Sequence, residues 1–178
     1  MVNYLDTILT RLQLCHTELI PATPTTYDLK YAYKLVPLGQ VRWDNWPFVF
    51  VAPSDASYTY PAPDTCEIRQ NLTVTVVVSP RNADMIDSVG NSAGMLATVT
   101  LQNTFIEYYL AHPDLHTASL PALAYLTTCR PVNSRPVLLE AEPQKPGGPK
   151  NEYAGVQITL FTYVRHTIAN SLHSYGGQ

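Results

Sequence analysis

Charge is what this chain has least of. Asp, Glu, Lys and Arg make up 14% of its 178 residues, where a globular domain carries about a quarter. The 15 prolines and 12 tyrosines, together with many threonines, point to a surface that partly meets protein, because tyrosine buries area while keeping a polar tip. A Pro-rich, loopy domain with its tyrosines packed in its own core has the same composition, and composition does not separate the two. The net charge of −3 argues against a general binder of nucleic acid or of anionic membrane, and leaves room for a local basic patch.

Cysteine is also sparse. Cys15, Cys66 and Cys129 are odd in number and widely spaced, which disfavours a disulfide framework and fits synthesis in a reducing compartment. The first residues, MVNYLDTILTRLQ, place Asp6 and Arg11 inside an apolar pattern, unlike the basic start and continuous apolar run of a signal peptide. No run of about 18 apolar residues is present, so the sequence predicts no membrane-spanning helix. Nucleotide-binding glycine motifs and the GxSxG nucleophile elbow are missing. Gly147 and Gly148 sit between prolines and lysines with no helix start after them, which makes a loop tip and not a phosphate cradle.

Close pairs of metal ligands are lacking too. His112 and His116 are four apart, but Pro113 breaks the helical face that would align them, so no metal site is expected. Cys15 and His16 are adjacent and do not face each other on a helix. A small hydrolase would need Cys129 with a distant residue such as His166, or a carboxylate pair drawn from Asp84, Asp87, Glu107 and Glu140. A buried cysteine is the commoner reading, and neither catalytic nor cofactor-binding residues are assigned. Trp43 and Trp46 with Tyr27, Tyr58 and Tyr60 could stack a sugar; their place beside an apolar strand favours the edge of a core.

What the chain does have is alternation. Residues 67–79, EIRQNLTVTVVVS, put Ile68, Leu72, Val74, Val76 and Val78 on one side and Arg69, Asn71, Thr73 and Thr75 on the other, with Gln70 and Val77 off the pattern. Period two with many β-branched residues means a strand with one dry face and one wetter face. Residues 152–167, EYAGVQITLFTYVRHT, repeat the pattern with Val156, Ile158, Leu160, Thr162 and Val164 against Gln157, Thr159, Phe161, Tyr163 and Arg165. Shorter strands are predicted at residues 48–51 and 136–140. Leu5, Ile8, Leu9 and Leu12 recur at helical spacing, with Asn3 as cap and Asp6 in the first turn, which predicts a helix over residues 4–14. A second helix is predicted over residues 95–110, with Met95, Val99, Leu101, Phe105, Tyr108 and Tyr109 on its buried side. One helical turn is placed at residues 84–89. Residues 23–33 read as a loop or a short turn of helix, 114–130 as irregular and 168–178 as a frayed tail. The order describes a single α+β domain over residues 1–178. Its sheet is mixed and mainly antiparallel, its helices pack on one face, and extended loops span residues 21–45, 53–66 and 142–151.

A short amphipathic first helix, a strand entering at PFVFVA, the long strand EIRQNLTVTVVV, a helix, and a closing hairpin of PVLLE and EYAGVQITLFTYVRH resemble the tail terminator proteins of long-tailed bacteriophages. The most telling segment is Tyr153-Ala154-Gly155-Val156, and the resemblance runs from Tyr4 to His166 as order and pattern. Residues 24–63 are longer and richer in Pro and Tyr than the family pattern needs, which leaves a neck or head–tail connector role open. The resemblance implies a cofactor-free, non-enzymatic virion protein at the head-proximal end of the tail, made in the host cytoplasm. It implies a homo-hexameric ring that caps the tail tube, stops its growth and offers the head its joining surface. Its partners would be itself, the tail tube protein and the neck or connector protein. No membrane and no specific nucleic acid are expected, although DNA would pass through the lumen. Subunit contacts are expected from Tyr27, Tyr31 and Tyr33, from Tyr58 and Tyr60, and from the loop carrying Lys145, Gly147, Gly148 and Lys150.

Overall fold

The computed structural model describes residues 4–35, 46–80, 93–141 and 151–167. Helix α1 covers Tyr4–Glu18 and α2 covers Ala93–Ala111; the strands are β1, Tyr31–Ala32, β2, Phe48–Ala62, β3, Thr65–Pro80, β4, Leu126–Ala141, and β5, Asn151–Thr167. The five strands form one sheet in the order β1-β2-β3-β5-β4. All neighbours pair antiparallel except β1, which pairs parallel with β2 through Tyr31 opposite Phe48 and Ala32 opposite Val49. The fold is α+β, with a mixed, curled sheet and both helices on one face.

The two long alternating runs are the two inner strands. β3 and β5 pair along their whole length, from Thr65 opposite Thr167 to Pro80 opposite Tyr153. Leu72, Val74, Val76, Ile158 and Leu160 are fully buried beneath Leu9 and Leu12 of α1 and Leu101 and Phe105 of α2. Each such side chain contributes roughly 1.5–3 kcal/mol through removal from water. On the other face a smaller cluster, Phe48, Phe50, Val77 and Tyr153, is closed by Tyr33, Trp46 and Leu139. Val77 departs from the alternation because this second cluster takes it in. Gly155 lies where β3 carries a bulge between Val77 and Ser79. A Cβ there would stand 2.5 Å from the Val76 carbonyl oxygen, so the close approach of β5 to β3 requires glycine.

Several expectations are corrected. Residues 53–66 are not a loop: β2 runs on to Ala62, the chain reverses at Pro63-Asp64, and Ala56, Ser57, Tyr58 and Thr59 pair with Gln70, Arg69, Ile68 and Glu67. Pro53 and Pro61 are tolerated because β1 covers only the first two residues of β2, so the outer side of the strand needs no ladder donors. Bulges at Pro53/Ala56 and Thr59/Ala62 absorb the irregularity. β4 likewise starts at Leu126, well before PVLLE and inside the stretch read as irregular; Pro131 and Pro136 sit on this outermost strand. The 23–33 stretch contributes β1. Helix α1 continues to Glu18, and Ile68 is half-buried where full burial was expected. On α2, Met95 and Val99 are exposed, while Gly94 and Thr98 are buried. The Thr98 hydroxyl donates to the Gly94 carbonyl at 2.7 Å, which satisfies it and lets a small side chain face the sheet. The Asn3 cap, the turn at residues 84–89, Trp43, the 142–151 loop before Asn151 and the tail after Thr167 lie outside the described residues.

Candidate functional site

The large apolar side chains left exposed sort by edge. Leu14 of α1, Tyr31 of β1, Leu35, and Tyr58 and Tyr60 of β2 lie on the β1–β2 side. Met95, Val99 and Leu110 of α2, with Val132 and Leu138 of β4, lie on the other, while Leu96 lines the cavity between α2 and the segment after α1. The first edge is aromatic and the second aliphatic. α2 has one exposed polar stripe, Thr100, Asn103, Thr104 and Glu107, and more apolar side chains than its sheet-facing stripe can hold, so Met95, Val99 and Leu110 stay exposed beside it. Its Gln102 donates to the Ser134 hydroxyl at 2.7 Å, which fixes that flank of the helix over β4.

Of the tyrosines expected at an interface, Tyr31, Tyr58 and Tyr60 are exposed. Tyr27 and Tyr33 are half-buried: Tyr27 lies 6.2 Å from the Trp46 ring and Tyr33 sits edge-on to Phe48 at 5.7 Å. Tyr31 stacks on Tyr33 with centroids 6.3 Å apart. Tyr58 is ten residues along β2 from Phe48, the partner of Tyr31, so the two aromatic groups stand roughly 30 Å apart along one edge. The same separation rules out one sugar platform combining Tyr58 and Tyr60 with Trp46. Trp46 packs at the edge of the smaller cluster, with the Lys30 ammonium 5.4 Å from its ring centre. Lys145, Gly147, Gly148 and Lys150 lie outside the described residues.

The side of the sheet away from the helices, beyond the Phe48 cluster, is open and polar. On β5 it presents Gln157, Thr159, Phe161, Tyr163 and Arg165. Directly opposite on β3 stand Thr73, Asn71, Arg69 and Glu67, paired with Thr159, Phe161, Tyr163 and Arg165. On β4, Arg130 and Arg135 stand opposite Phe161 and Gln157. Directly opposed residues of antiparallel strands share a face. The Arg69 guanidinium lies 5.9 Å from the Tyr163 ring centre, and the Tyr163 hydroxyl donates to Glu67, which raises its pKa. Arg135 donates to the Gln157 side-chain oxygen at 3.1 Å. A hollow of about 240 Å³ is lined by Asp55, Ser57, Arg69, Asn71 and Phe161.

Of the residues a hydrolase would use, Cys129 and His166 are not brought together, and Asp84 and Asp87 lie outside the described residues. Cys129 is fully buried and pairs with Thr162, four residues from His166 on β5; burial pushes its thiol pKa up, away from the reactive thiolate. His166 faces Cys66 across the ladder, and its Nδ1 lies 2.5 Å from the Tyr4 hydroxyl. His112 donates from Nδ1 to the His116 carbonyl at 2.7 Å. Among the described residues no three His, Cys, Asp or Glu side chains converge on a metal-sized site, and no helix is long and apolar enough to cross a membrane. A cavity of about 440 Å³ between α2 and the segment after α1 is lined by Leu19, Tyr27, Leu29 and Ala97, with Glu18 and Asp28 at its rim. Ser119, Thr117 and Tyr108 hydroxyls donate to Glu18 and hold its pKa below the usual carboxylate range; Thr25 does the same for Asp28.

Neither protein-family models nor curated proteins return a match to this chain. The site is therefore read from its own geometry. Sequence reasoning expected Tyr31, Tyr58 and Tyr60 at an interface, and the structure leaves them exposed; it did not name the aliphatic edge. The signal was available in α2, which has more apolar residues than one stripe facing the sheet can hold, so some stay uncovered. The arginine and aromatic face needed strand register, which no single run of sequence carries.

Proposed function

We propose that the chain is a structural subunit that assembles head to tail into a closed ring, and that the ring is a hexameric tail terminator at the head-proximal end of a bacteriophage tail. There it would cap the tail tube, stop its elongation and offer the joining surface for the head, with the tube protein and the neck or connector protein as neighbours and no catalysis of its own. The observation that carries the reading is the pair of unlike apolar patches on opposite edges of one sheet. Unlike patches on opposite sides favour a heterologous contact, which closes into a ring when its rotation per subunit closes. The order of elements from Tyr4 to His166 supports the phage assignment. The long β2–β3 hairpin, which carries Tyr58 and Tyr60 on its arm, fits a neck connector as well.

Light scattering and negative-stain microscopy test the ring. The wild-type chain is expected at six chain masses. A Val99→Glu, Leu138→Glu variant breaks the aliphatic edge, and a Tyr58→Glu, Tyr60→Glu variant breaks the aromatic one. Each should be monomeric alone, because a buried unpaired carboxylate is not tolerated at a packed contact. Mixed, they should form a dimer through the one intact pair of edges, which an isologous contact cannot do. A wild-type chain that stays monomeric both in free solution and on isolated tail tubes overturns the proposal.

A further inference from the structure

The open face of the sheet carries a pattern of side chains that the proposed ring contacts do not use. Two aromatic side chains, Phe161 and Tyr163, stand two residues apart on the inner strand β5, so their attachment points are separated by roughly 6.6 Å along one face. Each ring has an arginine directly across the ladder on the same face: Arg130 of β4 beside Phe161, and Arg69 of β3 beside Tyr163. Arg165 follows on β5 and Arg135 on β4, and all four arginines are exposed. Four of the chain's seven arginines therefore gather on one face of a protein whose net charge is −3. Two carboxylates oppose them. Glu67 accepts from Tyr163 and, at 3.5 Å, from Thr59; Asp55 lies at the rim of the hollow beside Phe161. Asn71 adds an amide opposite Phe161.

Rings spaced for successive bases, with guanidinium groups alternating to either side, are the chemistry of a stacking platform with an electrostatic track. We propose that this face binds single-stranded nucleic acid without sequence preference, bases against Phe161 and Tyr163 and phosphates along Arg69, Arg130, Arg135 and Arg165. Duplex DNA fits less well: it hides its bases in the stack, leaving the two rings without a role and only the arginines engaged. An acidic protein segment would also use the arginines and ignore the rings. The platform from Gln157 to Arg165 is roughly 26 Å long, enough for about four nucleotides, at the lower end of the range for sheet-borne single-strand sites.

The test is fluorescence anisotropy with a labelled oligo-dT of about twelve nucleotides, an abasic strand of the same length, the matching duplex and polyglutamate. Oligo-dT should bind the wild-type protein best, the abasic strand at least about tenfold more weakly, since stacking is lost. Phe161→Ala and Tyr163→Ala should each weaken oligo-dT about 5- to 100-fold, and Arg130→Gln and Arg69→Gln should each lower the salt slope by about 0.7. The arginine variants change exposed side chains, so circular dichroism should leave their folding unchanged and keep the test open if Phe161→Ala unfolds. No binding of oligo-dT at about 50 mM salt overturns the proposal. Equal binding of oligo-dT, the abasic strand and polyglutamate overturns it as well, since that marks a polyanion surface without stacking.

Discussion

The two faces of the sheet are built from the same two strands and behave as different materials. On the helix side, β3 and β5 present Leu72, Val74, Val76, Ile158 and Leu160, all closed off from solvent. On the other side the intervening residues, Asn71, Thr73, Thr159, Phe161 and Tyr163, range from half-buried to exposed. One residue of displacement along either strand separates a core from a surface. The helices decide which is which, because only one face receives them. Where the alternation lapses at Val76-Val77-Val78, the sheet is buried on both sides, against α1 and α2 on one and the Phe48–Tyr153 cluster on the other.

The contrast can be broken most strongly from the covered side. Leu160→Ala should lower unfolding free energy by about 2–5 kcal/mol, read as a fall in the urea midpoint; a loss under about 1 kcal/mol would mean that the helices do not pack there. The dryness of that side also has a titratable reporter. His16 of α1 is fully buried beside Phe105 and Tyr109, its Nε2 2.5 Å from the Tyr109 hydroxyl. Burial pushes its pKa down from 6.5 to about 3. The unfolded imidazole takes up a proton below pH 6.5 while the folded one stays neutral, so stability is full above that pH and falls as the pH drops, by about 2 kcal/mol at pH 5. Denaturation curves from pH 7 to pH 5 should show that loss, and His16→Gln, less stable at neutral pH, should lack this part of it. The smallest effect belongs to the open face: Thr159→Ala, one residue from Leu160, should change stability by no more than about 0.5 kcal/mol. A larger loss would show that something packs over that face.

The inner strands were legible because each carries its own burial signal in alternate positions. The outer strands were legible only at residues 48–51 and 136–140. β2 beyond Val51 reads APSDASYTYPA and β4 before Pro136 reads LTTCRPVNSR, and both look like loops because one backbone edge has no partner to satisfy and prolines are admitted there. Their pairing comes from β3 and β5, residues far away in sequence, so local propensity is overridden by partners it cannot see. On α2, Leu101, Phe105 and Tyr109 are buried as expected, but Met95 and Val99 were assigned inward on hydrophobicity, whereas a helix pressed onto a sheet prefers Gly94 and Thr98 at the closest approach. Of the candidate site, the tyrosines were readable singly. Their sorting onto one edge, and the alignment of Arg69 and Arg130 with the rings of β5, depend on register.

The prolines of the outer strands have a consequence for how the chain reaches this state. β3 and β5 are separated by some ninety residues in sequence yet share the longest ladder in the sheet. Pairing over such a separation is slow, because a large loop has to close before any contact rewards it. During that interval the strands stand exposed, a β-rich and weakly charged surface of the kind that zips onto copies of itself. Pro53, Pro61, Pro131 and Pro136 each remove a backbone donor from the two strands that such zipping would use first. A chain with few charges to keep its copies apart in the unfolded state thus carries its protection against aggregation in the backbone.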